Sequence, residues 1–223
     1  MAKKAEETLV DVQEVYTKTE LFLDKNRKTL TYVIGGVAVV LLGYFAYSRL
    51  YQQPRELEAS SNMWKAEEYF RMDSLDRALA GDDIYPGFEQ IAEDYAGTKS
   101  AKRAHFHIGT ILRDQGQYEE AISHFEEAAG LGDDAIGPFA TGNIGDMYVE
   151  LGDYDQAVKY FEKAANSVEN GFITPYFLMK ASIVYMENGD TSNAKRALER
   201  ITEDWPDSNE AKPAIKYLAS LGG

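Results

Sequence analysis

Apolar and polar residues alternate along this chain in three regimes. The first is a run of twenty uncharged residues at 29–48, TLTYVIGGVAVVLLGYFAYS, between Lys28 and Arg49. At about 1.5 Å per residue a helix of that length covers roughly 30 Å, the thickness of a bilayer's hydrocarbon core. Val33, Ile34, Val37, Val39, Val40, Leu41 and Leu42 fill its centre. Tyr32, Tyr44, Tyr47 and Tyr51 stand near its two ends, where amphipathic rings favour the lipid–water interface. The pattern predicts one membrane-spanning helix over 29–51. A buried core helix passes the same test. Ala46-Tyr47-Ser48 loosely fits a signal-peptide cleavage site, but the 28 preceding residues carry six acidic groups, which is wrong for one.

Flanking patterns are shorter. Residues 5–23 repeat Leu9, Val12, Tyr16 and Leu23 at roughly helical spacing, which fits an amphipathic helix or a loosely ordered tail. After the span, Pro54 is placed to kink the chain. Residues 56–80 predict a helix with Ala59, Met63, Ala66 and Phe70 on one stripe and Trp64 beside it. Gly81-Asp82-Asp83 breaks it, and Asp83 is placed to cap a following helix that runs to about Tyr95.

From residue 108 the chain repeats itself. IGTILRDQGQYEEAISHFEEAA (108–129) and IGDMYVELGDYDQAVKYFEKAA (144–165) align at an offset of 36. The alignment pairs Gly109 with Gly145, Gly116 with Gly152, Tyr118 with Tyr154, Ala121 with Ala157 and Phe125 with Phe161. A weaker copy at 181–201 follows at an offset of 37, with Tyr185, Gly189 and Ala194 in register. A second match, FEQIAEDYAGTKSAK (88–102) against LERITEDWPDSNEAK (198–212), has an offset of 110 and extends the array at both ends. Periods of this length mean stacked supersecondary units, each burying an apolar face that only a neighbour can cover. Residues 56–96 are then a degenerate first repeat and 208–221 a closing helix, inside which Pro213 has no evident reason.

The aliphatic-Gly pair, the aromatic, the turn glycine, and the Tyr, Ala, Phe and Ala that follow resemble the tetratricopeptide repeat family. The resemblance implies an all-α solenoid of about three repeats plus a closing helix, behind the single N-terminal transmembrane helix. The expected organisation is an N-terminal segment at 1–28, the span at 29–51, a linking helix with the degenerate repeat at 52–101, and the repeats with their closing helix at 102–223. The family's groove-facing pattern implies a partner-binding groove of Arg103, Phe106, Thr110 and Arg113, then Phe139, Asn143 and Asp146, then Tyr176, Met179, Lys180 and Ile183. The family's clamp for chaperone C-terminal carboxylates needs lysines where this chain has Phe106 and Tyr176. Only Asn143 and Lys180 match it. A mixed apolar groove instead fits an extended or helical segment of a protein partner.

Charge narrows the partners further. Residues 1–55 carry eight basic and six acidic groups, and residues 56–223 carry 15 and 31. A soluble part near −16 is unsuited to nucleic acid, whose phosphates need cations. No cysteine is present, so disulfide and thiolate chemistry are excluded. His105 and His107 are two apart and cannot form an i, i+4 metal pair on a helix. The acidic pairs at 119–120, 126–127 and 133–134 diverge on a helix and read as solvated faces. No phosphate loop or nucleophile elbow is present, and the reading is of a protein that is not an enzyme and has no cofactor.

Basic residues near the span number four before it (Lys18, Lys25, Arg27, Lys28) and three after it (Arg49, Arg55, Lys65). The bias favours a cytoplasmic N-terminus. Gly36 and Gly43 share a face of the span with Tyr47 below them, a surface that lets another helix approach. The whole arrangement, with ELFLDKNRKTLTYVIGGVAVVLLGYFAYSR at 20–49 followed by a polar helix, resembles the YfgM-like family of bacterial inner-membrane proteins. That resemblance implies a periplasmic repeat domain, an accessory role at the Sec translocon, and partnership with translocon subunits, a membrane-anchored periplasmic prolyl isomerase-like chaperone and exported chains. An alternative is a cell-envelope assembly factor serving outer-membrane or cell-wall machinery. A third reading reverses the topology and makes a cytosolic receptor tethered to a membrane.

Overall fold

The computed structural model describes residues 2–130 and 135–222, with side chains described at 20, 23 and from 25 onward. The acidic pair at 133–134 lies outside the described residues. Two compact units emerge, residues 1–54 and 55–223.

In the first unit, α1 (Ala2–Tyr47) is helical over both the 5–23 segment and the apolar run. Most side chains of the 5–23 stripe lie outside the described residues; Leu23 is exposed. From Tyr32 to Phe45 the large apolar side chains are all exposed, and the helix is long and apolar enough to cross a membrane. Thr31 donates its hydroxyl to the Arg27 carbonyl at 2.8 Å, so that hydroxyl makes no demand on its surroundings. A π-helical turn, Ser48–Gln52, follows, in which Gln53 N–H reaches back five residues to Ser48 O. It ends two residues before Pro54, which has no N–H to donate and whose ring crowds a regular turn. The chain answers its proline with a widened turn, and α2 (Gln53–Arg71) is helical through it.

In the second unit, helical pairs stack: α5 (Lys99–Asp114) with α6 (Tyr118–Ala129), α7 (Ile136–Glu150) with α8 (Tyr154–Ser167), and α9 (Ile173–Glu187) with α10 (Thr191–Asp204), closed by α11 (Ala211–Leu221). Each pair turns on one glycine with positive φ: Gly116 at 76°, Gly152 at 75° and Gly189 at 78°. The next amide closes the turn by reaching back five residues, from Gln117 to Leu112 O (2.9 Å), Asp153 to Tyr148 O (2.9 Å) and Asp190 to Tyr185 O (2.8 Å).

The segment ahead of α5, expected to be a degenerate repeat, uses the same turn without the glycine. Asp73 has φ 57°, and Ser74 N–H reaches Tyr69 O at 2.9 Å. The predicted continuous helix over 56–80 therefore breaks at Met72–Ser74, and α3 (Leu75–Ala80) begins the partner helix. A loop at 81–87 interrupts that partner before α4 (Phe88–Asp94) completes it. Asp82, not Asp83, organises the loop. Its Oδ1 accepts from the Ile84 and Tyr85 amides at 2.8 Å each, and its Oδ2 from the Tyr69 hydroxyl. These bonds, led by Tyr69, hold its carboxyl down at about 2. The helix that Asp83 was expected to cap starts later, after Gly87.

Glu56 ties α2 to α5: its carboxylate accepts from the Lys99 amide at 2.6 Å and from Ser100 Oγ at 2.7 Å. It thereby serves as a cap supplied from another helix. Pro213 is explained by where α11 begins. The helix starts at Ala211, so Pro213 lies in its first turn, where backbone N–H groups have no helical partner to lose. The core is a line of buried rings, Phe88, Phe125, Phe161 and Phe177. Glycines admit them: a Cβ on Gly109 would lie 2.9 Å from Phe125, and one on Gly142 only 1.9 Å from Phe177.

Candidate functional site: the face of the first helices

Polar contacts bridge neighbouring first helices, from α2 to α5, from α5 to α7 and from α7 to α9. Glu67 on α2 accepts from Arg103 on α5 at 3.3 Å. Arg113 on α5 donates to Asn143 on α7 at 3.5 Å, and ion-pairs with Asp114 at 2.8 Å. Lys180 on α9 donates to both oxygens of Asp146 on α7, at 2.6 and 2.9 Å. Each cation predicted for the groove therefore faces an acid of the same domain. Arg113, Asp146, Tyr118, Met147, Val149 and Glu150 line an open cleft of about 310 Å³.

The aromatic predictions separate into two kinds. Phe106 packs edge-on to the buried Phe125, with ring centres 5.8 Å apart, and its carbonyl receives the Thr110 hydroxyl at 2.9 Å. Both residues are half-buried and turned toward packing. Phe139 and Tyr176 are brought together at 5.9 Å, and Phe172 extends the cluster, 6.4 Å from Phe139. Phe172 is 62% exposed. Lys180 Nζ stands 5.5 Å from the Tyr176 ring, so the ion pair borders the aromatic cluster. Met179 packs on the core beneath, and Ile183 is half-buried one turn on.

Sequence reasoning missed Glu67 and Phe172. The signal for Glu67 was its offset of 36 from Arg103, the repeat period. Phe172 precedes α9 as its N-cap residue and lies outside the repeat pattern. On α1, a Cβ at Gly36 or Gly43 would meet nothing within 4 Å, and Tyr47 stacks on Tyr51 at 5.3 Å. The three histidines pack within the repeats. His107 lies flat on Phe88 at 4.7 Å, and His105 and His124 share a hydrogen bond between their Nδ1 atoms at 2.9 Å. Among the described residues no three acidic, His or Cys side chains converge as a metal site.

Residues 100–170 and, separately, 176–208 match family profiles described as tetratricopeptide repeat. No curated protein matches the chain. Among solved structures, the chain is similar to the nearly identical TPR-like repeats of a Podosopora anserina kinesin light chain protein. That match has 16% identity and a TM-score of 0.54, and covers 76% of this chain and 87% of that one. A point variant of the same repeats matches with 16% identity and a TM-score of 0.54, covering 74% of this chain and 85% of that one. At this identity the likeness is one of fold. Profiles, turn geometry and stacking together identify residues 100–170 and 176–208 as tetratricopeptide repeats within an all-helical solenoid, and such repeats indicate a scaffold for protein–protein interaction.

Proposed function

We propose that the chain is a non-enzymatic scaffold anchored in the bacterial inner membrane by residues 29–51. Its N-terminus is cytoplasmic, its repeat domain periplasmic, and the groove holds an extended or helical segment of a protein partner. The carrying observation is the contrast along the groove: its cations face internal acids, while Phe139, Phe172 and Tyr176 form an accessible aromatic cluster. Such a surface draws its affinity from a few aromatic anchors and not from charge. The exposed apolar side chains of α1 support the anchor, because each would gain about 1.5–3 kcal/mol on leaving water.

The finer reading is an ancillary subunit at the Sec translocon, with a membrane-anchored periplasmic chaperone and exported chains as partners. It rests on the YfgM-like resemblance of residues 20–49 and of the overall order of elements. A photo-crosslinker at Phe139 or Tyr176, activated in native membranes, tests it. Recovery of translocon subunits or a periplasmic chaperone supports the reading. Recovery of outer-membrane or cell-wall machinery instead makes the protein an envelope assembly factor. A topology reporter fused after residue 223 tests the periplasmic side, and a cytoplasmic signal overturns it.

A further inference from the structure

The outer face of α11 repeats the face of α5 that α6 covers. The match of 88–102 with 198–212 continues into these helices, and the turn that precedes each is closed in the same way. Thr98 N–H reaches Tyr95 O at 3.0 Å, and Ser208 N–H reaches Trp205 O at 3.0 Å. Beyond the turn the entries differ, since α5 starts at Lys99 on its Thr98 cap and α11 starts only at Ala211, yet the register holds: Ala101 and Ala104 are buried in one helix and their counterparts Ala211 and Ala214 in the other. At the offset of 110, Lys102, His105 and Gly109 correspond to Lys212, Ile215 and Ala219. On α5 all three touch the α6 segment: Lys102 Nζ donates to Gly130 O at 2.6 Å, His105 bonds His124, and Gly109 receives the Phe125 ring. On α11, Lys212, Ile215 and Ala219 share a face, one to two helical turns long, and all are exposed. Ile215 is 59% exposed.

We propose that this face is a docking site for an acidic amphipathic helix of another protein, seated as the second helix of the repeat that α11 opens. The repeats define the shape of that helix. Their second helices bury Ala121, Phe125 and Ala128; Ala157, Phe161 and Ala164; and Ala194, Leu198 and Ile201. The central knob tracks the residue facing it. Phenylalanine stands where the first helix has Gly109 or Gly145, and Leu198 where the register has Ser182. A Cβ at Gly109 or Gly145 would already lie 2.8–2.9 Å from the ring. Ala219 brings a Cβ to that position, so the docked helix carries a leucine there. Its charge follows from α11, which has Lys212 and Lys216 exposed and no acidic residue from Ala211 to Leu221, within a domain that is otherwise strongly acidic. Lys212 is placed to meet the helix's last carbonyls, as Lys102 does for α6. This surface is separate from the aromatic groove.

The test uses the full chain in nanodiscs and a labelled peptide of residues 117–130, constrained to be helical and carrying Phe125→Leu. The peptide holds four glutamates. Saturable binding by fluorescence anisotropy is expected, weakened about tenfold or more by Ile215→Glu and left unchanged by Phe139→Ala in the groove. The peptide with its native phenylalanine should bind more weakly, and Ala219→Gly should reverse that preference. Circular dichroism checks that Ile215→Glu leaves the fold intact, as its exposure predicts. Absence of saturable binding overturns the proposal, as does binding indifferent to Ile215→Glu or a leucine preference indifferent to Ala219→Gly. A dimer of the chain that Ile215→Glu dissolves also overturns it, because the occupant is then a second copy.

Discussion

Both carboxylate oxygens of Asp146 lie on the Lys180 ammonium, at 2.6 and 2.9 Å, across the seam between α7 and α9. Lys180 is one of two residues that match the family's carboxylate clamp, and here its charge is already engaged. Both side chains are about 30% exposed, so water screens the pair, and breaking it costs under about 1 kcal/mol. Asp146→Asn and Lys180→Ala are each expected to shift the urea midpoint only slightly. Peptides with an acidic C-terminus are expected to bind Asp146→Asn measurably better than the native protein. Isothermal titration with such a peptide reads the difference, and equal affinities would show that Asp146 does not mask Lys180.

Close approach of helices sets a second expectation. The Cβ of an alanine at Gly142 would sit 1.9 Å from the Phe177 ring, whereas at Gly109 or Gly145 the nearest ring atoms are 2.8–2.9 Å away. Phe177 is 1% exposed and has little room to retreat. Gly142→Ala should therefore lose roughly 1–3 kcal/mol or more, the range for overpacking a core, and exceed both other substitutions. Urea denaturation of the three variants gives the ranking. Equal losses would mean that the ring at Gly142 relaxes freely.

Asp73 occupies the turn position that the later repeats give to Gly116, Gly152 and Gly189, with φ 57°. A side chain in this region raises the energy of the backbone, less for aspartate than for most residues. Asp73→Gly is expected to stabilise the domain by about 0.5–1 kcal/mol, and Gly152→Asp to destabilise it by a similar amount. Thermal denaturation of both variants checks the opposite signs. A destabilised Asp73→Gly would assign the aspartate side chain a role of its own in the turn.

That same aspartate marks the limit of what the sequence makes legible. Where glycine, tyrosine, alanine and phenylalanine recur at 36–37, the turns and the packing of α5 to α10 follow from the spacing. Ahead of α5, Asp73 stands at the turn in place of glycine and a loop held by Asp82 separates α3 from α4, so the period disappears although the turn geometry persists. Pro213 looks misplaced only when the closing helix is started at 208, ahead of its true first residue, Ala211. Pairings between neighbouring first helices were not legible. Spacing put Asp146 and Lys180 on one surface, but pairing them required the distance between neighbouring first helices. Glu67 was overlooked for the same reason, since its partner Arg103 lies in the next repeat.

The histidines give the domain an acid sensitivity of defined sign. Burial pushes His105, His107 and His124 below their ordinary value of 6.5, and for His105 the neighbouring His124 adds to the effect. Opposing it, Glu89, Glu120 and Glu127 favour protonated His124, Glu127 does so for His105, and Glu67 for His107, where Arg103 acts the other way. The Nδ1–Nδ1 bond of His105 and His124 also requires one of the two nitrogens to lack a proton. Because the unfolded chain takes up protons first, this stability is fully present above about pH 6.5 and is lost as pH falls through the lower folded values. Asp82 acts in a different window: its contribution is present above 3.8 and lost only toward about 2. The urea midpoint should therefore fall between about pH 7.5 and about pH 5. His107→Phe, which keeps a ring against Phe88, should flatten the curve, and adding His105→Leu with His124→Leu should flatten it further. An unchanged slope in the triple variant would assign the acid sensitivity to carboxylates instead.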